Sequence, residues 1–102
     1  KKLERHHIFP KGYLKSIGIE ERTMQNQVAN FIYLEYKDNI NISDKPPRNY
    51  FPEIKNSLND ELECDYYNHA IPEDIENLNY DEFLAERRNL MANYIRKYFE
   101  KI

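Results

Sequence analysis

Glycine and cysteine are almost missing from this 102-residue chain, which has two glycines, one cysteine and no tryptophan. The lone Cys64 excludes an internal disulfide framework and any Cys-x-x-Cys zinc site. A single thiol without a partner fits a reducing cytoplasm. Gly12 and Gly18 are too few and wrongly spaced for a P-loop or a glycine-rich dinucleotide turn, so nucleotide-cofactor enzymes of those two kinds are excluded. No run of ~18 apolar residues is present, so no transmembrane helix and no membrane association are expected. No apolar segment follows Lys1-Lys2, so no secretory signal is expected. No methionine opens the chain, and we read it as a fragment cut from a longer protein.

The residues that are present are aromatic and charged. Nine tyrosines and five phenylalanines stand in a chain that is 40% apolar and 32% charged, as expected of a polar globular domain of one core. The net charge of −3 conceals an asymmetry. Residues 1–16 carry five basic groups and one acid, while residues 51–82 carry ten acids and one base. An acidic domain is a poor non-specific binder of nucleic acid, because phosphate contacts supply most of that affinity. A locally basic edge can still meet phosphate if the acidic surface faces away. The acidic stretch can equally be a solvated face.

Along the chain, residues 3–9 read as a short strand that Pro10 ends. A short helical piece or turn over 11–15 follows, and Gly18 closes it. Residues 20–27 are polar and helix-compatible. Residues 29–36 form the best strand pattern, aromatic and β-branched with no breaker. Ser43 has the chemistry of an N-cap for a helix over about 44–55, with Asp44 in its first turn. Residues 56–79 read as an acidic loop. A C-terminal helix runs over 80–102, with Asn79 and Glu82 at the spacing of a capping box. Phe83, Leu84, Leu90, Met91, Tyr94, Ile95, Tyr98 and Ile102 form its apolar stripe, read as core or docking surface. The fold class is α+β.

The adjacent histidines His6 and His7 carry the chemical interest. Within a strand their side chains point to opposite faces, but at a strand end both can reach one site. One imidazole could then ligate a metal while the other polarises a water. They can equally be surface or packing residues. Strand, loop, strand and helix in this order bring the end of the first strand, Asn30 and Asn39 together. Asn39 also suits a turn or cap, and Asn30 a strand-start hydrogen bonder.

The blocks His6-His7-Ile8-Phe9-Pro10-Lys11, Val28-Ala29-Asn30-Phe31 and Asn39-Ile40-Asn41-Ile42-Ser43-Asp44-Lys45 resemble the HNH (ββα-metal) endonuclease domain. More narrowly, they resemble the C-terminal nuclease domain of GmrSD-like, modification-dependent restriction proteins. Asn68-His69-Ala70-Ile71-Pro72 and Phe83-Leu84-Ala85-Glu86-Arg87-Arg88 extend the likeness to nearly the whole chain. The resemblance implies one HNH-like nuclease domain over residues 1–102, with a ββα core at about 3–55. It also implies an N-terminal ParB-like nucleotide-hydrolysing domain earlier in the same protein.

The roles implied by the resemblance are these. His7 is the general base, and Asn30 holds the hairpin loop and orients the His7 ring through a hydrogen bond. His6 and Asn39 ligate a divalent cation, Mg²⁺ or alternatively Mn²⁺. The substrate is a DNA phosphodiester, foreign or modified. Lys11, Lys15 and Lys45 are candidate phosphate contacts, and Tyr13, Tyr33 and Tyr36 candidate base-stacking or packing groups. With no histidine near Asn39, the metal site is a weak one that substrate phosphate must complete. His69 is a further candidate in the tail. The competing expectation is a nuclease-like module that has lost cleavage and binds a partner through its last helix or acidic surface.

Overall fold

The computed structural model describes residues 3–35, 42–54 and 70–100. The expectations placed on Tyr36, Asn39, Asn68 and His69, and on most of the acidic loop, lie outside these residues. The described elements are β1 (Leu3–His7), α1 (Lys11–Ser16), α2 (Arg22–Gln25), β2 (Phe31–Glu35), α3 (Pro47–Ile54) and α4 (Tyr80–Glu100). Short 3-10 turns occupy Val28–Asn30 and Ile75–Asn77. The result is a small α+β fold. Its two strands pair antiparallel, with Leu3 opposite Glu35, Arg5 opposite Tyr33 and His7 opposite Phe31.

The first strand, expected over residues 3–9, ends two residues earlier, at His7. Ile8 and Phe9 leave the ladder because both side chains are swallowed by the core, at 0% and 2% exposure. Pro10 is then the N-cap of α1, with extended backbone and a carbonyl that accepts from Leu14 N–H at 3.0 Å. α1 ends in a Schellman motif, with Gly18 N–H donating to the Lys15 carbonyl and Ile19 N–H to that of Leu14. Gly18 has φ +96°, the left-handed conformation this closure requires.

The next helix departs from expectation. α3 begins at Pro47, and Ser43 is not its N-cap. Ser43 has φ +44°, whereas an N-cap needs extended backbone. Pro47 supplies a first-turn residue whose φ is already helical. Ser43 and Asp44 instead form a turn ahead of the helix.

α4 matches its sequence signal closely. The Asn79 side-chain oxygen accepts from Glu82 N–H at 2.8 Å, and Glu82 accepts from Asn79 N–H at 3.0 Å. That reciprocal pair is the capping box. Along the apolar stripe, Phe83, Leu84 and Met91 are buried against Ile8, Phe9, Leu14, Ile32, Tyr50 and Phe51. Past Met91 the stripe runs off the core, and Leu90 and Ile95 on its margin are exposed.

Two buried phenols lock loops to this core. Tyr50 OH donates to the Ile8 carbonyl, and Tyr80 OH donates to the Met24 carbonyl at 2.5 Å. Burial pushes both phenols above the ordinary tyrosine range, Tyr80 to about 12. In the unfolded chain both ionise near pH ~10. The folded state therefore holds its protons where the unfolded chain has lost them, and stability falls as pH rises from ~10 toward 12. For Tyr80 the loss is on the order of 2 kcal/mol. Thermal melts at pH 9 and pH 11 should show it, and Tyr80→Phe should flatten the slope. An unchanged slope in that variant would remove Tyr80 as the cause.

Candidate functional site

The hairpin end, the start of α1 and the turn before α3 enclose an open cleft of about 400 Å³. Arg5, His6 and His7 line it from β1, and Pro10, Lys11 and Gly12 from α1. Ile42, Ser43 and Asp44 form the opposite wall. Both histidines thus face one cavity. Strict strand alternation would separate them, but His7 is the last residue of β1 and the backbone bends immediately after it.

The bend is held by Asn30, which is fully buried. Its side-chain oxygen accepts from Phe9 N–H at 2.8 Å, and its amide donates to the carbonyls of Phe9 and Gln25, each at 3.0 Å. Ile8 N–H donates to the Asn30 carbonyl at 2.7 Å. The amide side chain closes the loop from inside, as a buried polar group must to offset its desolvation. These bonds tie residues 8, 9 and 25 to Asn30.

Among the described residues the Asn30 side chain makes no hydrogen bond to the His7 ring, which it was expected to orient. Asn30 spends its bonds on backbone groups, and the His7 ring is met by Asn26 instead. His7 Nε2 lies 2.7 Å from the Asn26 side-chain oxygen. The two asparagines stand four residues apart, at the end of α2 and at the start of β2. Sequence alone offers little to decide which of them turns toward the ring.

The His7 ring also packs on Phe31, with centroids 4.6 Å apart, and the Arg5 guanidinium sits 4.5 Å from the same Phe31 ring. Partial burial holds the imidazole pKa below its ordinary value. The Asn26 bond opposes that shift, and the positive charges of Lys11 and Arg5 add to it. The neutral ring is therefore favoured near neutral pH, the state in which a histidine takes a proton. His6 is partly exposed, and its Nε2 lies 3.5 Å from the Glu4 carboxylate.

Gly12 shapes the opposite wall. A Cβ at this position would collide with the Asp44 carboxyl group, so only glycine admits that carboxylate against the first turn of α1. Of the three lysines singled out, Lys11 lines the cleft, whereas Lys15 and Lys45 are exposed elsewhere. Tyr13 packs partly buried against the core, with the Arg48 guanidinium 5.8 Å from its ring.

Arg87, within the Phe83–Arg88 block, is wholly buried. Its guanidinium donates to the Ala29 carbonyl at 2.9 Å, to that of Ala70 at 3.1 Å, and to that of Phe31. It ties α4 to the residues on either side of Asn30. Its sequence signal is faint, since the neighbouring Arg88 is exposed and differs in nothing but helical phase.

Among the described residues, no three histidine, cysteine or carboxylate groups converge as a metal cage. No described helix is long and apolar enough to cross a membrane. Compared with protein-family models, curated proteins and solved structures, the chain matches none.

Proposed function

We propose that this chain is a metal-dependent endonuclease domain of the HNH type, hydrolysing DNA phosphodiester bonds in restriction of foreign or modified DNA. The observation that carries the reading is the placement of His6 and His7 in one basic cleft, beside Arg5 and Lys11, on a bend clamped by the buried Asn30. On this reading the chain is the nuclease part of a longer protein whose ParB-like domain handles nucleotide hydrolysis. DNA is the substrate.

His7 takes a proton from the attacking water, whose oxygen forms a bond to phosphorus as the opposite P–O bond breaks. The leaving oxygen then takes up a proton from solvent. Arg5 and Lys11 hold the phosphate by charge. The donor set fits a hard cation bound mainly by water and phosphate, because His6 offers a partly exposed imidazole at the cleft and no cage of histidine, cysteine or carboxylate groups surrounds it among the described residues. His6 would hold the cation, with Asn39 as second protein ligand. When bound, Mg²⁺ or Mn²⁺ would neutralise charge developing on the phosphate.

Calorimetric titration with Mn²⁺ in the presence of a short, non-cleavable DNA duplex tests the reading. Binding is expected, and His6→Ala should weaken it at least about tenfold. Equal binding by both proteins would remove His6 as a ligand. No Mn²⁺ binding with or without DNA would favour a non-catalytic binding module. The exposed Val28, Ile95 and Phe99 favour that second reading.

A further inference from the structure

We propose that Asn26 is a positioning residue that holds His7 as the Nε2–H tautomer, so that Nδ1 is the atom that accepts the proton from water. The inference rests on the nuclease reading above. An amide oxygen accepts hydrogen bonds and donates none, so the 2.7 Å approach of the Asn26 oxygen to Nε2 requires the hydrogen on that nitrogen. A neutral imidazole carries one N–H, so the lone pair lies on Nδ1. Among the described residues no hydrogen bond engages Nδ1.

Two further contacts make the orientation specific. Phe31 packs on the ring at 4.6 Å, so the ring is held by a face as well as by one atom. Asn26 is itself fixed, as the C-cap of α2 with its N–H donating to the Arg22 carbonyl at 2.8 Å. The side chain of Asn26 is exposed, so replacing it leaves the core untouched.

Nitrogen-15 spectra of the labelled wild-type chain, at a pH where histidines are neutral, report the tautomer directly. His7 Nε2 should show a pyrrole-type shift with a proton protected from solvent exchange. Asn26→Leu should lose that protection, and Asn26→Asp, which keeps an acceptor oxygen, should retain it. In plasmid cleavage with Mn²⁺, Asn26→Leu should lower kcat up to about 10²-fold with little change in KM. Asn26→Asp should restore most of the loss. A pyridine-type Nε2 in the wild type, or protection unchanged in Asn26→Leu, overturns this proposal while DNA cleavage stands. Failure of the wild type to cut DNA overturns the nuclease reading and the positioning role with it, whatever the spectra show.

Discussion

His7→Ala should lower the rate of DNA cleavage by about 10²- to 10⁴-fold, the range over which a positioned proton acceptor contributes. The substitution removes the imidazole and leaves Arg5, Lys11 and His6 in the cleft. Phosphate affinity should therefore persist, and the loss should fall on turnover. His7 is only partly buried and its bonds are to a side chain, so the fold should survive. Initial rates of plasmid nicking with Mg²⁺ or Mn²⁺ read the effect, with circular dichroism confirming that the variant is folded. Equal cutting by variant and wild type would sink the assignment of His7.

The second large effect is on stability. Arg87→Met should cost about 3 to 5 kcal/mol, because it removes the donors that satisfy the buried carbonyls of Ala29, Phe31 and Ala70. Domains of this size hold only ~5 to 15 kcal/mol in all. The melting temperature should drop by more than about 12 °C. Arg87→Lys should recover little, since one ammonium cannot reproduce the planar fork that reaches three carbonyls. A drop of less than about 3 °C in Arg87→Met would show that the carbonyls find other partners.

Local signals were legible and convergent ones were not. The capping box at Asn79 and Glu82 depends on residues three apart, and the left-handed closure at Gly18 depends on one glycine. Both could be read in place. The start of α3 departs from the pattern because Ser43 has good capping chemistry but a backbone φ of +44°, a state its residue type does not announce, and the helix begins at Pro47. The site was legible as far as a histidine pair at a strand end and a loop-holding asparagine. That Asn26 rather than Asn30 meets the ring, and that Arg87 rather than Arg88 is buried, are decided by the packing of segments 19 to 58 residues apart.

The guanidinium of Arg87 reaches back 58 residues to Ala29. On a ribosome the loop around Asn30 emerges long before the arginine that braces it. The hairpin, although contiguous at the front of the sequence, is therefore finished from behind, and a nascent chain halted ahead of residue 87 would hold its bend by the Asn30 bonds without the Arg87 donor to the carbonyls of Ala29 and Phe31. Such a late closing step sets when the folded core could first be complete during translation.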